Sequence, residues 1–139
     1  RYAVRDTFVT TGYGRIGLSG DYGGTWLLAN LTNVSVAKEM YFSSRKVSSE
    51  ECHQKGIFND IYEKNVFKTR VVEIARGIAR SAPVALTYMK QNLNYASIST
   101  LSDSLDIEAE NLYRCVATED HKNAIRAFLQ KRTPEFKGF

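Results

Sequence analysis

Asp21 is the residue in this chain best placed by type and surroundings to move a proton. It stands in the run Ile16-Gly17-Leu18-Ser19-Gly20-Asp21-Tyr22-Gly23-Gly24-Thr25-Trp26, one carboxylate among glycines and aromatics just ahead of a helix-forming stretch. Two influences compete at such a place. Apolar surroundings favour the protonated acid, while amides at a helix start favour the carboxylate. A carboxyl group balanced in that way can take up and release protons during a reaction. The same aspartate could instead cap the following helix and spend its oxygens on backbone amides.

Other chemistries find less support. Cys52 and His53 are sequence neighbours, and adjacent helical residues point about 100° apart, which argues against a thiol–imidazole pair. His53 and His121 have no partners at metal-ligand spacing, so no metal site is expected. Gly12-Tyr13-Gly14 with Gly17 has the letters of a dinucleotide-binding turn. It lacks the strand–turn–helix setting that such a turn requires, because more glycines follow where the helix should start.

The elements that must position Asp21 fall into two regimes. Up to about Thr25 the chain is strand and turn material, with Phe8-Val9-Thr10 β-favourable and six of the nine glycines between positions 12 and 24. That density of glycine signals positive φ angles or close approach of another group to the backbone. Helices follow: one from Trp26 to Asn30, another over Val36–Phe42, and a short one opened by the Ser48/Glu51 capping spacing and stopped at Gly56. Ile57–Tyr62 alternates as a strand does. Beyond it, Val71, Ile74, Ala75 and Ile78 share a helical face that ends before Pro83. Leu86, Met89 and Leu93 mark the next helix, and Leu101, Leu105, Leu112 and Val116 another. Thr118 caps the last, with Ala124, Ile125, Phe128 and Leu129 on its apolar side and an exit at Pro134.

Length and composition bound the rest. The chain has 139 residues, 43% hydrophobic and 24% charged, the profile of a globular domain able to bury a core. No stretch reaches the ~20 apolar residues of a membrane-crossing helix. Two cysteines do not make a disulfide framework and fit a reducing, intracellular setting. The net charge of +4 comes from scattered basic residues rather than one stripe, which argues against nucleic acid as a partner. The opening Arg1-Tyr2-Ala3-Val4 has no initiator Met and no signal-peptide pattern. It reads as a strand already under way, and hence as a piece of a longer protein.

Phe8 through Trp26 resembles the active-site segment of the crotonase (enoyl-CoA hydratase/isomerase) superfamily, in which a short strand leads to a Gly-Leu-x-x-x-x-Gly-Gly-Thr turn and a helix. Val47-Ser48-Ser49-Glu50-Glu51 to Gly56-Ile57-Phe58-Asn59 is similar to a downstream helix and strand of that family. Ser81–Leu86, Thr118–Lys122 and the ending Ala127–Gly138 resemble its C-terminal helices and tail.

The resemblance implies a truncated α/β fold of the crotonase-like spiral ββα type, mostly helical in this chain with short N-terminal strands. Residues 1–62 would be the later part of the core and residues 63–139 a helical trimerisation region. It implies chemistry on a CoA thioester, which is the substrate, with no separate cofactor. Two backbone N–H groups would hold the thioester oxygen while carboxylates move protons. Those N–H groups would lie upstream of Arg1, so this stretch alone would be inactive.

Many hydratases of the family carry a Glu shortly beyond the strand, equivalent to a position near Gly12-Tyr13 here, and that acid is missing. Asp21 matches the catalytic aspartate of dienoyl-CoA isomerases and of ring-epoxide phenylacetyl-CoA isomerases. The Gly23-Gly24-Thr25-Trp26 that follows looks most like the latter. Tyr13, Tyr22 and Gly23 would contact the acyl-CoA, and Lys131 falls where the family reaches a neighbouring subunit's CoA phosphate. The resemblance further implies a homotrimer or homohexamer, in the cytoplasm, acting as a hydratase (a lyase) or an isomerase in fatty acid metabolism. The alternative is a non-catalytic homologue that binds CoA esters or only oligomerises.

Overall fold

A computed structural model describes all of residues 1–139. The chain divides into two compact units, Arg1–Glu73 and Ile74–Phe139.

The first unit is built on two small strand pairs. Strand β1 (Tyr2–Val4) runs parallel to β4 (Asp60–Tyr62), with Ala3 opposite Ile61. Strand β2 (Phe8–Val9) pairs antiparallel with β3 (Val47–Ser48), with Val9 opposite Val47. A 3-10 turn at Tyr13–Ile16 interrupts the stretch read as strand and turn. Helix α1 covers Gly24–Leu31, two residues earlier than its apolar pattern suggested. Helix α2 (Val34–Ser43) starts at Asn33, whose side chain accepts from the Val36 amide at 3.0 Å. That bond satisfies one of the four amides left open at a helix start.

Helix α3 (Ser49–Gln54) opens as its sequence predicts, with the Ser48 hydroxyl accepting from the Glu51 amide at 3.1 Å. The Glu51 carboxylate does not turn back to complete the box. It goes to Arg45, whose Nη1 donates to it at 2.7 Å, while Arg45 Nε donates to Glu39 at 2.6 Å. Arg45 therefore ties α2 to α3.

Ile57 and Phe58, expected in a strand, terminate α3 instead. Gly56 adopts φ 77°, and the Ile57 and Phe58 amides return to the Cys52 carbonyl at 2.8 and 3.3 Å. That left-handed exit is why the strand begins only at Asp60. The core beneath is Met40, Val47, Cys52 and Ile57, with Val9, Leu28, Val36 and Phe58 packed against it. Burial pushes the Cys52 thiol up from its usual range. The Cys52 thiol lies by the Val47 carbonyl and the His53 ring by the Phe58 carbonyl, so the two neighbours make separate contacts.

Helix α4 spans Lys64–Ala79, starting well ahead of the apolar face that marked it in the sequence. In the second unit, α5 (Pro83–Ala96) and α6 (Leu101–Val116) pack together, and Asn111 donates to Asn92 at 2.6 Å where they meet. Thr100 and Thr118 cap α6 and α7 (Glu119–Leu129) through the amides of Asp103 and His121. Helix α7 stops at Leu129, before the Pro134 taken as its exit. Lys131 is left-handed at φ 55°, and the amides of Lys131 and Arg132 return to the carbonyls of Phe128 and Ala127 at 3.1 and 3.0 Å. Glycine is the usual residue at such a stop, and a side chain there costs about 1 kcal/mol.

The tail then folds back on α7. Asp120, buried, accepts from the amides of Lys137 and Gly138 at 2.7 and 2.8 Å, and its own amide donates to the Phe139 carbonyl at 3.0 Å. The apolar stripes of α6 and α7 stay largely uncovered in this chain, with Leu112 and Phe128 exposed. No helix is long and apolar enough to cross a membrane.

Candidate active site

The loop between the 3-10 turn and α1 carries Asp21, and its backbone is an unusual sequence of conformations. Gly20 has φ 118°, Tyr22 φ 50° and Gly23 φ 71°. Gly23, not Asp21, is the cap residue of α1, and no side chain caps that helix. The Asp21 carbonyl accepts from the Gly24 amide at 2.9 Å, which closes the turn.

Asp21 is exposed, so the apolar surroundings weighed as one influence on it are not supplied by this chain. Neither do helix amides take up its carboxylate. Its hydrogen-bond partner is the Tyr13 hydroxyl, which donates to Oδ1. That bond, first among several causes, holds the Tyr13 phenol above its usual pKa of 10.

Tyr13 in turn stacks on Tyr41 of α2, the rings parallel to within 2° and their centres 5.9 Å apart. Burial, then the nearby Asp21 charge, pushes the Tyr41 phenol upward too. The Tyr41 ring passes directly under the glycine loop. A Cβ built on Gly24 would come within 2.5 Å of the Tyr41 hydroxyl, and one on Gly20 within 3.2 Å of its ring. A shallow apolar groove of about 290 Å³ flanks Tyr41, walled by Thr25, Val34, Ala37 and Phe42; Asp21 is not among its walls.

Of the residues singled out in the sequence, Asp21, Tyr13 and Gly23 share this one loop region. Tyr22 is 96% exposed and touches nothing that would hold it. Lys131 belongs to the second unit, at the left-handed stop of α7. Tyr41 was missed. Its one signal was the glycine density itself, which predicted a close neighbour without saying which residue. No three His, Cys, Asp or Glu side chains gather as a metal ion would require.

Comparison with known proteins bears on the chain as a whole. The sequence family described as enoyl-CoA hydratase/isomerase matches residues 2–138. A short-chain-enoyl-CoA hydratase of Clostridium acetobutylicum is 32% identical over 120 residues, covering 86% of this chain and 46% of the relative. A 1,2-epoxyphenylacetyl-CoA isomerase of Escherichia coli is 28% identical over 136 residues, covering 98% of this chain and 52% of the relative. The crystal structure of an enoyl-CoA hydratase from Bacillus anthracis superposes with a TM-score of 0.97 at 26% identity, over all of this chain and 54% of that one. The chain thus spans about half the length of the relatives it matches.

Proposed function

The chain belongs to the enoyl-CoA hydratase/isomerase family and carries part of its crotonase-like α/β fold, mostly helical with short strands, and on that premise we propose that it serves proton transfer on an acyl-CoA thioester, with Asp21 as acid and base. The observation that carries the reading is the Tyr13–Asp21 hydrogen bond, which leaves Asp21 with one oxygen engaged and one free of any partner. A single carboxylate can take a proton from one carbon of an enoyl-CoA and return it to another. Hydration asks for more, since one group must activate water while another delivers a proton. The second acid of the hydratase type is missing near Gly12-Tyr13, and the Tyr13 phenol, held above its ordinary range, is a weak acid at neutral pH. Isomerisation, in which a proton leaves one carbon of the enoyl-CoA and returns to another as the double bond shifts, is therefore the preferred reaction. The likeness of Gly23-Gly24-Thr25-Trp26 to ring-epoxide phenylacetyl-CoA isomerases supports an isomerase without fixing the acyl group.

The thioester oxygen would be held by two backbone amides outside this stretch of chain. Tyr22 and Gly23 would border the acyl group and Lys131 would meet a CoA phosphate, as a compact cation suits. The uncovered stripes of α6 and α7, with Leu112 and Phe128, support assembly as a trimer or a dimer of trimers. A cytoplasmic location accompanies this reading. The missing glutamate favours a second one, binding of CoA esters without turnover.

Chromatographic separation of the products with mass detection separates these readings, with the protein assayed in its full natural length on an enoyl-CoA. An isomer elutes apart from the substrate at the same mass. An isomer of unchanged mass is the expected product. A product heavier by one water would make it a hydratase, and tight binding with unaltered substrate would favour the second reading.

A further inference from the structure

Three elements meet at the Asp21 loop. Tyr13 opens the 3-10 turn, Asp21 lies in the loop that follows, and Tyr41 comes from α2. The loop backbone around Asp21 is a chain of left-handed and glycine conformations with a turn bond from Gly24. Such a backbone fixes the Cα and leaves the direction of the carboxylate open. What fixes that direction is the Tyr13 hydroxyl on Oδ1, a bond to a charged acceptor and hence stronger than one between neutral groups. Tyr13 is itself held, ring against ring, by Tyr41. Tyr41 has little room toward the loop, since the Gly24 and Gly20 backbones lie against its hydroxyl and ring edge.

We infer that Tyr13, backed by Tyr41, is a positioning residue that grips Asp21 through Oδ1 and leaves Oδ2 to face the substrate proton. The inference rests on Asp21 being the acid and base of the proposed reaction. It assigns Tyr13 a role other than lining the acyl site. The phenol stays protonated at neutral pH, so the grip persists through the working range and Asp21 alone changes its proton count during the cycle.

The test combines turnover with a titration. In the protein at its natural length, Tyr13→Phe keeps the ring stack and removes the hydroxyl. The expected result is a kcat about ten- to a hundredfold lower with KM nearly unchanged, as for a reacting group displaced by about an ångström. In the chain carrying ¹³Cζ-labelled tyrosine, Tyr13 is expected to titrate above 10 and to fall toward 10 in Asp21→Asn, where the acceptor loses its charge while burial and Tyr41 remain. If Asp21→Asn abolishes turnover and Tyr13→Phe leaves kcat intact, the positioning role is wrong and the Asp21 reading survives. If Asp21→Asn leaves turnover intact, the reading beneath fails and takes this inference with it. A Tyr13 titration indifferent to Asp21→Asn overturns the pairing whether or not any turnover is seen.

Discussion

The Tyr41 hydroxyl occupies the space that a Cβ on Gly24 would need, 2.5 Å away. A methyl at position 24 therefore meets the outer end of a ring whose face is already committed to Tyr13. Gly77 makes the contrast, since it lies within α4 with nothing inside 4 Å of an added Cβ.

Two glycine-to-alanine changes should consequently diverge. Gly77→Ala is expected to raise stability by about 0.5–1 kcal/mol through helix propensity alone. Gly24→Ala gains the same propensity but loses about 1–3 kcal/mol to overpacking, so it is neutral to destabilising. It should also shift the Tyr13 and Tyr41 ring resonances, which Gly77→Ala leaves alone. Chemical denaturation and aromatic NMR spectra check both outcomes.

Arg45 contributes to the acid response of the first unit, alongside Glu50 and Asp60, whose carboxyls are also held below their ordinary range. It grips Glu51 with two guanidinium nitrogens and Glu39 with the third. The hydrogen bond from Arg45, aided by Lys55, holds the Glu51 carboxyl down to about 2 from an ordinary 4.5. A folded-state value below the unfolded one contributes stability in full above 4.5, and the contribution is lost as pH falls toward 2. Thermal unfolding should thus show Tm declining over that window. In Arg45→Met the decline from this source should shrink, and Tm near pH 7 should be a few degrees lower.

Met40 is almost fully buried and belongs to the same helix as Tyr41. Met40→Ala should cost about 2–5 kcal/mol, the range for emptying a packed core position. A denaturation midpoint unchanged by that substitution would contradict the core assigned here.

What could be read in advance divides by the distance over which the physics acts. Ser48 and Thr118 were legible as caps because a cap needs one hydroxyl and an amide three residues on. Asp21 was legible as a candidate because its glycine-flanked loop is a local pattern, and the family's turn was recognisable in it. Its partner was not, because Tyr13 reaches it only through the fold of the 3-10 turn and is backed by Tyr41 only once that turn and α2 have packed together. Ile57 and Phe58 alternate like strand residues. Their amides were claimed by the left-handed stop at Gly56, a competition that periodicity does not register. Of the two influences weighed at Asp21, apolar surroundings and helix-start amides, this chain supplies neither, and it carries only part of a fold whose relatives are about twice as long.

Asp120 was equally hidden, looking like an ordinary acidic residue in the first turn of α7. Its carboxylate takes two tail amides. Asp120→Ala should release residues 133–139 and cost about 1–3 kcal/mol for the lost buried acceptor. Hydrogen exchange at the Lys137 and Gly138 amides would report it, fast in the variant and slow in the parent.

Proton transfer through Asp21 is tested most directly by the turnover of Asp21→Asn on an enoyl-CoA, in the protein at its natural length. Asparagine keeps the shape and the Tyr13 contact but holds no exchangeable acid. A kcat lower by about 10²–10⁴, with CoA-thioester binding retained, is the predicted result. Turnover equal to that of the parent protein would contradict it.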